Sequence, residues 1–251
     1  MQDRPEIHHI VVGTGVVGGA LLGLLPQGSV GVDVDTPLPD PPCQILHICI
    51  PYYPISSQGE DFVTIVSNYI AKLQPSCTII HSTVLPGTTD AIASRFPDKE
   101  TAFSPVHGKH AAMGRDLLYW PKSYGLSLEG ADLGMTGPAL FEGKMSPLQG
   151  ENAFTLEWQK LVALAWLAWA IVFHQEVERI CDIFDLKETD VKSPLSWECS
   201  DSGGPWFPGV IGGHCVILGI ELLQKAYPSE FWKIVLNSNE LKKIRESKRG
   251  P

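Results

Sequence analysis

Charge is scarce in this chain. Only 19% of its 251 residues are charged, against 44% hydrophobic, a balance that describes a globular protein rather than a disordered one. Basic charge is scarcer still. The formal net charge of −9 argues against nucleic acid or an anionic membrane surface as the main partner. The one basic cluster is the tail, LKKIRESKRGP, which reads as a solvated chain end. No Cys-x-x-Cys pair occurs among the six cysteines at 43, 49, 77, 181, 199 and 215, so no metal site is expected. The start, MQDRPEIHHI, has no apolar core behind a basic end. No secretory signal is read there, and reduced thiols in a cytoplasmic protein are the simplest expectation. The longest apolar run, Leu161 to Phe173, has 13 residues. That is short for a bilayer span and suits a buried helix, so no membrane partner is expected. There are no repeats and no low-complexity segments.

What is present is alternation. IHHIVV, SVGVDVD, QILHICI and CTIIHST read as strands. Helical stretches over about 16–25 and 58–73, and one opening at PGTTDAIASRF, separate or follow them. TAFSP and SYGLSL are shorter strand candidates. The pattern predicts a Rossmann-type, doubly wound α/β fold with a mostly parallel sheet. It changes near residue 150. Residues 155–184 contain neither Gly nor Pro and read as one long helix, with further helices over 214–226 and 229–244. The expected organisation is an NAD-binding domain over 1–150 and a smaller all-helical dimerisation and substrate domain over 151–251. The long helix carries apolar residues on nearly every face, Trp158, Trp166 and Trp169 among them. A helix of that kind needs cover on all sides. A second copy of the chain would supply it, so a homodimer through 155–184 is expected.

The first strand runs into Gly13-Thr14-Gly15-Val16-Val17-Gly18, a Gly-x-Gly-x-x-Gly that opens a helix. In that setting the first glycine permits a tight turn, the second lets a pyrophosphate approach, and the third lets helix and strand pack closely. The helix start offers N–H groups and a positive dipole end to phosphate. Asp33 ends the second strand, 20 residues after Gly13. There it can accept hydrogen bonds from ribose hydroxyls and repel a 2′-phosphate, which favours NAD over NADP. Asp35 is the alternative acid, one step into the loop. The other reading of the turn is a glycine corner kept for packing alone.

The stretch CSDSGGPWFPGVIGGHC, from Cys199 to Cys215, carries two competing signals. Asp201-Ser202-Gly203-Gly204-Pro205 resembles the nucleophile motif of trypsin-like proteases. A Ser/His/Asp triad of that kind needs its histidine and aspartate before the serine and a β-barrel fold around them. Here the only similar His-Cys pair, His214-Cys215, follows Ser202, so the segment is read as a loop. Cys215 is different. It follows two glycines and opens an apolar helix, where the dipole favours a thiolate. Its other reading is a small buried hydrophobe.

Several segments, in order, resemble the UDP-glucose/GDP-mannose 6-dehydrogenase family. VVGTGVVGGALL is similar to that family's nucleotide turn and VGVDVD to its ribose-binding strand. ILHICIPYY resembles the strand and turn, with Pro51, that line the cofactor pocket. TIIHSTVLPGTTD, with Ser82 and Thr83, resembles a Ser-Thr-Val-x-Pro-Gly-Thr segment. EWQKLVALAWLAWAIVFHQEVERICDIFDL is similar to the central helix, and PGVIGGHCVI to a Pro-Gly-x-Gly-Gly-His-Cys turn. The resemblance implies oxidation of a sugar C6 alcohol to an acid with two NAD, through a thiohemiacetal and a thioester on cysteine. A thiolate suits nucleophilic acyl chemistry, and a lysine can stabilise a developing oxyanion. Carried over by position, Cys215 is the nucleophile, Lys160 the catalytic lysine, and Thr83 a threonine that positions water and substrate.

The departures are specific. Leu164 and Gln175 stand where the family has asparagines, Gly219 where it has an aspartate base, and Val106 where it has a glutamate. The likeness ends near residue 240, without a counterpart to the family's C-terminal nucleotide-binding domain. These differences set a two-electron oxidation of an alcohol, or its reverse, beside the full four-electron reaction. They also motivate a second reading: a non-catalytic NAD-binding protein that regulates or assembles with an enzyme. A third is a fragment completed by a separate sugar-nucleotide domain. In SPVHGKHAAMGRDLLYWPKSYG, His107, Lys109 and His110 follow a strand's carboxyl end, where ligands bind in such sheets. With His214 they are the candidate contacts to a sugar-like or anionic substrate; the alternative is a solvated basic loop.

Overall fold

Short apolar runs build the centre of the molecule. In the computed structural model, which describes residues 9–52, 61–132, 147–149, 151–187, 189–191, 209–212 and 215–249, four strands are buried along their whole length. They are β1 (His9–Val12), β3 (Ile45–Ile48), β4 (Cys77–Ile80) and β5 (Glu100–Phe103). Strands covered on both faces read as continuous runs, which is what a parallel sheet between helical layers requires. With β2 (Val30–Val32), β6 (Lys122–Leu126) and β7 (Pro147–Gln149), the order is β2-β1-β3-β4-β5-β6-β7. Pairing is parallel from β2 through β5. β6 joins β5 antiparallel, and β7 joins β6 parallel. The chain leaves β1 to one side for β2 and returns to its other side for β3. The order therefore reverses between β1 and β3, and a crevice at their carboxyl ends is the place such sheets reserve for ligands.

The helices follow local signals. α1 (Val16–Leu22) starts at the glycine turn. Asp61 caps α2 (Phe62–Leu73) by accepting from the Thr64 N–H at 2.7 Å, and Gln74 closes it in the left-handed region at φ 48°. Val66, Ile70 and Leu73 are its buried stripe, the spacing of one helix face. α3 (Thr88–Ala93) follows β4. A 3-10 turn (His110–Ala112) leads into α4 (Met113–Tyr119). Leu21 of α1, Leu25 just beyond it, and Met113 and Leu117 of α4 cover Val11 on one face of the sheet, together with Val106. The expected Rossmann-type sheet is present.

The chain divides into two compact units, Met1–Lys160 and Leu161–Pro251. The long helix α5 (Ala153–Phe184) has 32 residues; it starts in the first unit and continues in the second. By length and composition it could cross a membrane, as core helices of soluble proteins also can. Inside the second unit Gln175 and Glu178 of this helix find protein partners. Gln175 donates to the Gly209 carbonyl at 2.8 Å and accepts from Ser238 at 3.0 Å. Glu178 pairs with Lys242, both nearly buried. Asn239 exchanges hydrogen bonds with the Ile211 backbone at 2.8 and 3.1 Å. α6 (Val216–Ala226) and α7 (Glu230–Arg249) complete this unit, and Trp169 stacks on Phe231 at 4.1 Å.

Candidate functional site

The three glycines of the first turn face three different surroundings. Gly13 has φ 89°, and its N–H donates to the Val32 carbonyl at 2.8 Å. A Cβ there would lie 2.8 Å from the Cys49 backbone. A Cβ on Gly18 would run into the Gly13 carbonyl, with the Cys49 Cβ 3.1 Å away. Gly15 is the exception: a Cβ there would meet nothing within 4 Å. Gly15 is also the N-cap of α1, and no side chain caps that helix start. Thus protein closes the first and third glycines, while the second opens outward at an uncapped helix end. Val16 beside it is 49% exposed, and Val17 packs against the α1–α4 core.

Asp33 stands at the exposed end of β2 and is joined to this turn. One carboxylate oxygen accepts from the Thr14 N–H at 2.9 Å and from the Thr14 hydroxyl at 2.7 Å; the other accepts from the Val34 N–H at 3.0 Å. The Thr14 hydroxyl, then its N–H, hold the Asp33 carboxyl below the usual carboxylate range. The oxygen that accepts only from Val34 keeps a lone-pair direction for another donor. The turn and the acid are therefore one unit, and the residues fit an adenosine diphosphate group.

The neighbouring segments are ordered by backbone contacts. Pro51 is exposed just after β3. The Ser82 hydroxyl donates to the Ile50 carbonyl at 2.6 Å, tying the loops after β3 and β4 together; Thr83 beside it is half-buried. Glu157 of α5 holds the start of α3. Its carboxylate accepts from the Gly87 N–H at 2.5 Å, the Thr89 N–H at 2.9 Å and the Thr89 hydroxyl at 2.6 Å. Burial pushes this carboxyl up to about 7, against those hydrogen bonds. One turn on, Lys160 donates to the Val106 carbonyl at 2.7 Å.

The histidine and lysine residues after β5 differ in exposure. His107 is half-buried, and burial, then the charges of Lys160 and Lys122, bring it down to about 4. Lys109 and His110 are exposed, and the Lys109 N–H donates to Asp116 at 2.8 Å.

Sequence reasoning missed the most unusual feature. Lys122, His81, His47 and His9 are 2%, 4%, 0% and 6% exposed and form one connected row across the sheet. His9 Nδ1 lies 3.0 Å from His47 Nε2, and His47 Nδ1 lies 3.0 Å from His81 Nε2. His81 Nδ1 lies 2.9 Å from the Ser104 carbonyl and 3.2 Å from Lys122 Nζ. Successive rings stack at 5.3 Å. A histidine in each of three strand candidates was the available signal, but their contact depends on register.

In the second unit, Cys215 is half-buried at the N-cap of α6. Two of the departures meet there. Gly219 faces Leu164, and a Cβ on Gly219 would lie 2.8 Å from Leu164 Cδ1. The positions expected to be an asparagine and an aspartate are thus filled by an apolar side chain over a glycine. His214 and Ser202 lie outside the described residues.

No family model matches the sequence, and no curated protein matches it. Solved structures do match. The UDP-D-ManNAc dehydrogenase of Pyrococcus horikoshii has TM-score 0.74 at 18% identity, over 92% of this chain and 68% of that one. The UDP-glucose dehydrogenase of Pyrobaculum islandicum has TM-score 0.72 at 17% identity, over 96% and 69%. The UDP-N-acetyl-mannosamine dehydrogenase of Staphylococcus aureus has TM-score 0.67 at 16% identity, over 94% and 68%. Nearly the whole chain therefore shares its fold with a substantial part of UDP-sugar dehydrogenases.

Proposed function

We propose that this protein binds NAD at the β1–α1 turn and oxidises an alcohol group of a sugar-like or anionic substrate, or reduces its carbonyl product. The observation that carries the reading is the contrast at Gly15, the one turn glycine open to the outside, beside an exposed Asp33. The N–H groups at the α1 start would meet the pyrophosphate. Asp33 would accept from the adenosine ribose, and its negative charge would disfavour a 2′-phosphate. When bound, NAD supplies a hydride acceptor. Lys160, with its Nζ on the Val106 carbonyl, would bear on a developing alkoxide, and Thr83 would position substrate. Cys215 would be the nucleophile if the aldehyde is carried on to an acid.

The Leu164–Gly219 contact bears on how far the reaction goes. A side chain at 219 would have to displace Leu164, and a glycine there supplies no carboxylate base, which favours the two-electron reaction over the four-electron one. The replaced asparagine, aspartate and glutamate positions are what motivates the alternative, an NAD-binding protein without turnover that regulates or assembles with an enzyme. The UDP-sugars named for the similar structures are the first substrates to try. The exposed apolar residues Val162, Trp166, Phe173 and Ile180 on α5 make a second copy of the chain the proposed partner, and a cytoplasmic setting suits the free thiols.

Calorimetric titration tests the cofactor assignment. Saturable NAD binding is expected in the wild type, with an affinity loss of about tenfold or more in Asp33→Ala, the worth of a charge-assisted hydrogen bond. No heat with millimolar NAD would remove the proposal. Turnover that survives Cys215→Ala would confine the chemistry to two electrons. NAD binding with no turnover on any hydroxylated substrate would favour the non-catalytic alternative.

A further inference from the structure

Two lysines hold three consecutive carbonyls where the chain leaves β5. Lys122 of β6 is 2% exposed. Its Nζ donates to the Ser104 carbonyl at 2.7 Å, the Ser104 hydroxyl at 2.7 Å and the Pro105 carbonyl at 2.9 Å. Lys160 takes the next carbonyl, that of Val106, at 2.7 Å. All of these residues belong to the first compact unit.

Successive carbonyls of a strand point to opposite sides. Those of Ser104 and Pro105 converge on one nitrogen instead, so the chain bends as it leaves the sheet. The bend sets how Val106 follows. The Val106 side chain is buried with Val11, Leu21, Met113 and Leu117, and its carbonyl is turned to Lys160. The resemblance placed a glutamate at 106, whose side chain could reach a lysine by itself. A backbone carbonyl has to be aimed by the residues around it.

The three bonds of Lys122 are not equivalent. Ser104 is tied elsewhere. Its N–H donates to the Ile80 carbonyl at 2.8 Å and its hydroxyl to the Ser123 carbonyl at 2.7 Å. His81 Nδ1, 2.9 Å from the Ser104 carbonyl, is a second donor to that oxygen. Pro105 is different. Proline has no N–H, so the carbonyl is the one hydrogen-bonding group of its backbone. It is buried, and among the described residues Lys122 supplies its donor. Without Lys122 this carbonyl is left unsatisfied, at a cost the chain relieves by turning the peptide that joins Pro105 to Val106. That turn takes the Val106 carbonyl away from Lys160. A lysine stem is flexible, so the place of the Lys160 Nζ follows its acceptors, and the Val106 carbonyl is one of them.

We propose that Lys122 is a positioning residue for Lys160. Through the Pro105 carbonyl it aims the Val106 carbonyl, and through that carbonyl it places the Lys160 Nζ at the carboxyl end of the sheet. Lys122 is itself buried and acts only through this link. The use of the arrangement rests on the dehydrogenase reading, in which Lys160 bears on a developing alkoxide.

The test needs neither NAD nor substrate, so its failure is distinct from failure of that reading. Val106-His107 is the only Val-His pair in the sequence. Labelling valine with carbonyl carbon-13 and histidine with nitrogen-15 therefore gives one NMR signal for the Val106 carbonyl. At pH 6, Lys160→Met is expected to move that signal, because its hydrogen bond is lost. Lys122→Met is expected to move it in the same direction, and the double variant no further than the larger single shift. The wild type gives a second reading between pH 6 and 9. Burial, the largest cause, brings Lys122 down to about 7. As it loses its charge the bond to Pro105 weakens, and the Val106 signal is expected to move towards its Lys160→Met position. The other groups around Lys122 titrate outside this window: His107 at about 4 and Cys49 at about 12, with His81 and His47 held well below the ordinary histidine range by burial. A Val106 signal unmoved in Lys122→Met, or shifts that add in the double variant, would overturn the proposal. So would a wild-type signal that stays fixed while Lys122 titrates, even if Lys122→Met does not fold.

Discussion

Gly15 and Gly18 stand on the same turn and answer a methyl group in opposite ways. At Gly15 the backbone is extended, with φ −64° and ψ −159°, and the space beyond it is open. Gly15→Ala is therefore expected to fold with unchanged or slightly higher stability, by up to about 1 kcal/mol through a stiffer unfolded chain. Its NAD affinity is expected to fall at least tenfold, because the methyl occupies the approach to the helix start. Gly18→Ala forces the turn apart and is expected to cost about 1–3 kcal/mol, as overpacking does. Thermal melts beside calorimetry separate the two effects. This part of the site was legible in the sequence because a glycine turn is local, and the acid that ends β2 reaches it through one residue, Thr14. The histidine row was not legible. Each histidine reads as an ordinary strand residue, and only the two-residue stagger between β1, β3 and β4 brings the rings together.

At the scale of elements, α5 makes two informative contacts, one in each unit. In the first, Glu157 holds the start of α3. Its folded carboxyl value is about 7 against an ordinary 4.5, so the native state keeps a proton that the unfolded chain has lost. Its contribution to stability therefore falls as pH rises from 4.5 to about 7. Glu157→Gln is expected to remove that fall and to cost about 1–3 kcal/mol at pH 4.5 through the mismatched donors at Gly87 and Thr89. Denaturant titrations of both proteins across this range check it. In the second unit, Leu164 of α5 lies over Gly219 of α6. Gly219→Ala is expected to be destabilising alone and better tolerated with Leu164→Ala, with a coupling of about 0.5 kcal/mol or more in a double-mutant cycle. The helices themselves were readable from the long stretch without Gly or Pro and from the apolar run after Cys215. Their contact was not, since it joins positions far apart in the chain.

For the whole molecule, the buried titratable groups set a pH profile. His47 and His81 stay neutral in the folded state, and His107 is lowered to about 4. The unfolded chain binds protons at these positions below about pH 6.5, so stability is lost as pH falls through that value. Lys122 acts on the other side. Its folded value is about 7 against an ordinary 10.5, so the unfolded state binds the extra proton between those values and the contribution of Lys122 to stability rises with pH across that window, opposed above about pH 9 by the buried thiols of Cys43 and Cys49, which are pushed up to about 11 and 12. Lys122→Met is expected to abolish the rise above pH 7 and leave the acid loss in place, as read by denaturant midpoints from pH 5 to about 9. An unchanged alkaline rise in that variant would contradict the assignment of Lys122.

The central claim is that the β1–α1 turn, with Asp33, is a cofactor site, and titration of the protein with NAD by calorimetry tests it most directly. The account requires one saturable site per chain, weakened at least tenfold in Asp33→Ala and in Gly15→Ala while both variants stay folded. Absence of binding at millimolar NAD, or binding indifferent to both substitutions, would contradict it.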